Sequence, residues 1–164
     1  MKQTTGSMMR TGMLAIAMLL STPQFIGAQV QPPERTLAGV WEVTTTPRNC
    51  STGEPIPAAA FVAIHTFNKD GTMSSTVSSG TPLPFHGLWR RELGWSDYSF
   101  RRLRILRNPT TNLYSGKQEI GGTLTLSESG NEYTADEYMI VYSIDGVPSP
   151  PSCINSVGTR FQMD

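Results

Sequence analysis

Residues 60–79, which read AFVAIHTFNKDGTMSSTVSS, decide the fold class of this chain. Ala60 to Asn68 and Thr72 to Ser79 are two extended-type runs, and they flank the tripeptide Lys69-Asp70-Gly71. An Asp-Gly pair between two strand-like runs is a strong short-range signal for a β-hairpin. The stretch therefore predicts two antiparallel strands joined by a tight turn.

The same pattern of extended runs separated by turns continues in both directions. Six more segments have it: Val40–Thr46, His86–Leu93, Asp97–Arg107, Tyr114–Glu128, Glu132–Ser143 and Cys153–Gln162. We expect Pro47 to end the first of these strands, because proline has no N–H to donate to a ladder. Glu34 to Ala38 has the composition of one helical turn, and Gly121-Gly122 predicts a bulge or a sharp bend.

Eight strands with short connections predict an all-β, antiparallel fold, because a parallel return needs a crossover of a dozen or more residues. Closing such a meander into an up-and-down barrel removes its exposed edges. A barrel of eight strands is wide enough for packed side chains or for one small ligand. The sequence therefore predicts a single eight-stranded up-and-down barrel over residues 29–164.

Residues 1–28 differ in composition from the rest of the chain. Lys2 and Arg10 are their only charges, and Met13 to Leu20 is an unbroken apolar run that is too short to span a bilayer. The polar break after this run and the small pair Gly27-Ala28 predict a signal peptide cleaved after Ala28. We therefore expect a secreted or periplasmic protein with no membrane span.

Charge excludes one class of function. The whole chain has 13 basic and 13 acidic residues, so it lacks the basic excess of a nucleic-acid-binding protein. Without residues 1–28 the chain carries 11 basic and 13 acidic side chains. Nucleic acid is therefore not an expected partner.

Cys50 and Cys153 are the two cysteines of the chain. In an exported protein an even pair predicts one intramolecular disulfide, which here would tie the first strand to the last. Zinc needs three or four ligands, and neither CxxC nor HxxxH spacing occurs. We expect no metal and no cofactor.

Gly39-Val40-Trp41, at the start of the first strand, resembles the GxW signature of the lipocalin and calycin superfamily. In that family the tryptophan lies across the closed end of the barrel, and a basic residue from the last strand packs over it. Arg160 is in the matching place near the C-terminus. The resemblance implies a lipocalin-like, calycin-type secreted bacterial barrel in which Trp41 and Arg160 are structural. The compact barrels of this superfamily, such as avidin-like proteins and periplasmic metalloprotease inhibitors, match the length of the chain.

The sequence leaves open which strand faces line the interior. His65 is in step with Phe61, whereas Val62 and Ile64 share the opposite, equally apolar face. If the Phe61 face points inward, His65 becomes a lone titratable group in an apolar cavity. His86 begins a predicted strand directly after a proline-containing loop, and we expect its side chain to be solvated as a loop residue would be.

The same ambiguity holds for the arginines of the fifth strand. Arg102 and Arg104 share a face with Phe100, while Arg101 alternates with them. If the Phe100 face is internal, the two guanidinium groups would face Glu137 or a bound acid, because a buried arginine must be paired.

Two functions follow from these observations. The first is binding of a small apolar or weakly acidic ligand inside the barrel, lined by Phe61, His65, Phe100, Arg102, Arg104 and Tyr138. The alternative is a protein-binding or protease-inhibitor-like module that uses the proline-rich loops at residues 47–58, 80–86 and 147–151. No nucleophile, HExxH or phosphate-binding motif occurs, so no catalytic residue is assigned and an enzyme is disfavoured.

Overall fold

A computed structural model describes residues 35–78 and 83–162 of the chain. The predicted signal peptide, residues 1–28, lies outside the described residues. The described part contains eight β-strands and one short 3-10 helix, Pro57–Ala59. The strands are β1 (Gly39–Arg48), β2 (Phe61–Phe67), β3 (Thr72–Val77), β4 (Phe85–Arg91), β5 (Asp97–Arg107), β6 (Tyr114–Leu126), β7 (Glu132–Ser143) and β8 (Ser152–Arg160).

The eight strands form one closed antiparallel barrel. Each strand pairs with the next one in the sequence, and β8 pairs with β1 to close the sheet. The prediction of an all-β, eight-stranded antiparallel barrel is confirmed, and this architecture is consistent with a calycin-type barrel. Within residues 35–78 and 83–162, no helix combines the length and apolar character needed to cross a membrane.

Two local predictions were wrong, and a third, at Gly121-Gly122, was wrong as far as it concerned a bulge. Residues 35–38 form no helical turn. Strand β1 continues past Pro47 to Arg48. The edge of Pro47 at which an N–H is missing faces the loop after β1. On that edge the Pro47 carbonyl accepts the N–H of Ile56 at 2.8 Å. The pairing of β5 with β6 runs evenly through Gly121-Gly122, and its one register shift lies instead between Leu106 and Arg107.

The predicted disulfide between Cys50 and Cys153 is confirmed, with Cα atoms 5.2 Å apart. It joins the loop after β1 to the start of β8, across the pair in which Arg48 lies opposite Cys153. The bridge therefore fixes the end of the barrel at which β1 ends and β2 begins. We call this end the mouth.

The opposite end, which we call the closed end, is filled by large side chains. Trp41 and Tyr133 are fully buried there, with ring centroids 5.0 Å apart. The Trp41 indole N–H donates to the carbonyl of Leu37 at 3.0 Å, which draws residues 35–38 over the barrel end. The guanidinium of Arg160 lies 4.3 Å from the centroid of Trp41. The contact between Trp41 and Arg160 that the sequence predicted is therefore present.

Candidate functional site in the mouth half of the barrel

Strand β5 supplies two of the site's side chains. Along β5 the buried residues alternate strictly, so Phe100, Arg102 and Arg104 point into the barrel. Leu103 and Ile105 are about half exposed on the outer wall. Because a strand places successive side chains on opposite faces, this settles the ambiguity that the sequence left. Two guanidinium groups lie inside the barrel.

Arg102 crosses the interior from β5 and contacts two other strands. Its exposed fraction is 2%. One terminal nitrogen, Nη1, contacts Nε2 of His65 on β2, and the other, Nη2, donates to Oε2 of Glu137 on β7 at 2.9 Å. Glu137 is also buried, so this is an ion pair shielded from solvent. The expectation that an internal Arg102 would face Glu137 is confirmed.

His65 is neutral in this environment, and its hydrogen can be placed on one ring nitrogen. Burial, and the positive charge of Arg102 beside it, lower the pKa of His65 well below its ordinary value. A guanidinium can only donate, so the Nε2 atom that contacts Arg102 must be the acceptor. The hydrogen therefore resides on Nδ1, which donates to the hydroxyl oxygen of Tyr133 at 2.8 Å.

Tyr133 lies between this polar group and the closed end. Its ring stacks against His65 and meets the edge of Trp41. Burial, with the nearby carboxylate of Glu137, raises the pKa of the phenol. Tyr133 is therefore a neutral phenol that accepts a hydrogen bond from His65.

Arg104 lies one inward position closer to the mouth than Arg102. Its Nε donates to Oε1 of Gln118 on β6 at 2.7 Å. The guanidinium carbons of Arg104 and Arg102 lie 4.5 Å and 5.3 Å from the ring centroid of Phe85. Burial and the charge of Arg102 lower the pKa of Arg104. The mouth half of the interior is therefore electropositive.

Three buried polar atoms of this region have no hydrogen-bond partner among the described residues: Oγ of Ser75, Nε of Arg102 and Oε1 of Glu137. Ser75 lies on β3, directly opposite His65 on one side and Phe85 on the other. Unpaired buried polar groups cost free energy, so these atoms favour an additional polar partner inside the barrel.

The structure brings most of the predicted ligand-lining residues together, with one exception. His65, Phe100, Arg102 and Arg104 point inward, and Phe61 is half-buried on the same face of β2 at the mouth. Tyr138 does not line the interior, so that prediction was wrong.

Tyr138 is 38% exposed and lies on the outer face, because the register of β7 turns its neighbour Glu137 inward. It covers Gly121 of β6 there, which has no side chain to obstruct the ring. His86 is exposed on β4, in agreement with the predicted strand and with its expected solvation.

Two hollows lie on the outer surface of the barrel. The larger, of about 780 Å³, is a groove across β4, β5 and β6 that reaches Tyr138 on β7. The smaller, of about 270 Å³, is lined by His86, Leu103 and Arg107 of the rim and also by Arg104.

Sequence reasoning missed Ser75, Phe85, Gln118 and Tyr133 as members of this site. Only the pairing register places them beside Arg102 and Arg104, and no motif marks them. Within the described ranges, no group of three or more His, Cys, Asp or Glu side chains is placed to hold a metal ion.

Comparison with known proteins adds no assignment: the chain matches no family model and shows no significant similarity to a curated protein. The functional interpretation therefore depends on the geometry of the barrel.

Proposed function

We propose that this protein is an exported, lipocalin-like barrel that binds a small, weakly acidic molecule in the mouth half of its interior. The observation that carries the proposal is the placement of Arg102 and Arg104 against the ring of Phe85, inside the barrel. An anion there would form charge-assisted hydrogen bonds, which are the stronger kind. The apolar part of the ligand would lie against Phe61 and Phe100.

The outer groove is a weaker candidate for this ligand, although it is larger. Two arginines line it, and both are mostly exposed to solvent in their pairs with Glu92 and Glu119, whereas Arg102 in the interior is buried. The three residues with an unpartnered buried atom, Ser75, Arg102 and Glu137, do not line the outer groove. The interior therefore offers the stronger anion site.

The lipocalin-like type and export are parts of the same proposal. The Gly39-Val40-Trp41 sequence and the stacking of Arg160 on Trp41 support the lipocalin-like type. The charge and apolar pattern of residues 1–28 and the disulfide support export to the periplasm or the cell exterior.

Calorimetric titration with octanoate and octan-1-ol tests the proposed function. These probes share an alkyl chain and differ in charge. We expect octanoate to bind and octan-1-ol to bind much more weakly. Arg104→Met should lower the affinity for octanoate by roughly tenfold to a hundredfold, which corresponds to the loss of one hydrogen bond to a charged group.

Arg90→Met is the matched control for this titration, because Arg90 is an exposed arginine on the outer wall. It should leave the affinity for octanoate unchanged. Equal affinity for the acid and the alcohol, or no binding of either, would overturn the proposal.

A protein-binding or inhibitory role is the second candidate, and the disulfide favours it. Cys50–Cys153 holds the loop after β1 against the start of β8, and a rigid loop binds with a smaller entropy cost. Ile56, Ile144 and Val147 are exposed on the loops at this end. Such loops on a rigid scaffold are a common protein-binding surface.

Inhibition assays against secreted metalloproteases and serine proteases test this second role. Ile144→Ser with Val147→Ser should abolish inhibition. Leu93→Ser, in an exposed turn at the closed end, should have no effect. If the unmodified protein inhibits none of the tested proteases, the inhibitory role is contradicted.

A further inference from the structure

We propose that the acidic group of the ligand binds as a carboxylate between the Ser75 hydroxyl and the Arg102 guanidinium, and that Ser75 sets the preference for an acid. This inference rests on the proposed function and specifies where the charged group lies. It is carried by the position of Ser75, a buried hydroxyl without a partner among the described residues, beside the two residues that Arg102 contacts.

The first step is the direction of each hydrogen bond in the polar group. Arg102 donates to His65, so His65 must donate from Nδ1 to the hydroxyl oxygen of Tyr133. The phenolic hydrogen of Tyr133 is then left over. Among the described residues, Tyr133 Oη, Ser75 Oγ and Arg102 Nε are therefore left to donate, while Glu137 Oε1 and the Ser75 oxygen are left to accept.

This surplus of donors defines the chemistry of the missing partner. Three atoms are left to donate, namely Tyr133 Oη, Ser75 Oγ and Arg102 Nε, and two are left to accept, namely Glu137 Oε1 and Ser75 Oγ. A group that only accepts, such as a carboxylate, satisfies more of these atoms than a hydroxyl or an amide would. The hydrogen-bonding capacity of the interior therefore matches a deprotonated acid.

The second step is where the donors meet. In the sheet, Ser75 is directly opposite His65 on β2 and Phe85 on β4. The guanidinium of Arg102 contacts His65, and its central carbon lies 5.3 Å from the ring centroid of Phe85. Ser75 and the guanidinium of Arg102 therefore share the same two neighbours, His65 and Phe85, on one side of the interior.

The third step is charge, which separates the Ser75 side of Arg102 from its Glu137 side. Glu137 already binds Nη2, and a second carboxylate beside it would be repelled. On the Ser75 side the neighbouring groups are neutral His65, Phe85 and the cation of Arg104, which also lies against Phe85. A ligand carboxylate is therefore favoured at Ser75.

Ser75→Ala tests the inference through titration with octanoate and octan-1-ol. Loss of the hydroxyl should lower the affinity for octanoate by roughly tenfold or more, as expected for one hydrogen bond to a charged group. The affinity for octan-1-ol should not change. Ser75→Thr keeps the hydroxyl and should retain more of the affinity than Ser75→Ala.

Ser156→Ala is the matched control. Ser156 is an equally buried serine of the mouth half, but its hydroxyl donates to Thr45 Oγ1 at 3.2 Å. This substitution removes the same atom from the interior and should not change the affinity for octanoate.

The outcomes distinguish this inference from the proposed function. Suppose that the unmodified protein binds octanoate and that Arg104→Met lowers the affinity while Ser75→Ala does not. The proposed function then stands, and the Ser75 site is overturned. If the unmodified protein does not bind octanoate, the proposed function itself fails.

A second measurement on the unmodified protein does not depend on whether a variant folds. The pKa of the carboxyl of bound, carboxyl-labelled octanoate can be followed by carbon NMR. Contact with a guanidinium should lower it by roughly 1 to 3 units relative to free octanoate, whereas a position beside Glu137 would raise it. A raised pKa would overturn the inference.

Discussion

The closed end holds a partly buried arginine and the mouth half a buried one, and the two arginines have different partners. At the closed end Arg160 stacks on Trp41 and donates to the main-chain carbonyls of Gly130 and Ala38, at 2.8 Å and 2.9 Å. In the mouth half, within the described residues, Arg102 makes its hydrogen bonds with two side chains, those of His65 and Glu137.

This difference favours a structural role for Arg160 and is compatible with the binding role proposed for Arg102. Carbonyls of the main chain do not titrate, and they keep their positions as long as the strands pair. His65, in contrast, is a titratable side chain whose pKa is lowered by burial and by the charge of Arg102. The closed end therefore sets the stability of the barrel, while the mouth half responds to its chemical surroundings.

The largest effect that distinguishes the two regions is expected for Trp41→Ala. Trp41 is fully buried, and replacing a buried aromatic residue by alanine costs about 3 to 5 kcal/mol of unfolding free energy. Urea unfolding measures this loss. The affinity of the remaining folded protein for octanoate should be unchanged, because Trp41 lies at the far end from Arg104. A tenfold loss of affinity with native circular dichroism would break the distinction between the regions.

A smaller effect is expected from pH. The pKa of His65 is lowered in the folded state, so below its ordinary value of 6.5 the unfolded chain binds more protons than the folded protein. The free energy of unfolding therefore falls as the pH drops from 6.5 toward the folded-state pKa, by at most about 1.4 kcal/mol per pH unit for one proton.

Urea unfolding between pH 7 and pH 5 measures this dependence, and His65→Asn should flatten it. His86→Asn, at an exposed histidine, should leave the slope as in the unmodified protein. An unchanged slope in His65→Asn would show that His65 is not held neutral in the mouth half.

Much of the fold could be predicted from the sequence, because turn signals and alternation are local. The bounds of β5 and β7 are those that the pattern gave. The faces of β5 could not be predicted, since both carry arginines and apolar residues. Pairing decides them: Gly87 lies opposite Arg102, and a Cβ at Gly87 would meet the Arg102 Cβ at 2.7 Å. The absence of a side chain at Gly87 on β4 lets the two strands approach closely at Arg102. The sequence of β5 alone does not contain this information.

The error at Tyr138 has a similar cause. Hydrophobicity favours the tyrosine over its neighbour Glu137 for the interior, but Glu137 is compensated there by Arg102. The Gly121-Gly122 pair serves close packing rather than a bulge, because Gly121 accommodates the Tyr138 ring and Gly122 approaches the carbonyl of Asp136. Partners from other strands decided both outcomes.

The central claim is that the arginines of the mouth half, and not those of the closed end or the outer wall, bind an acid. Nitrogen NMR of the arginine Nε–H groups during titration with octanoate tests it most directly. We expect the resonances of Arg102 and Arg104 to shift with a common saturation curve while those of Arg160 and Arg101 stay in place. Shifts confined to Arg101 or Arg160, or no shift at any arginine, would contradict the claim.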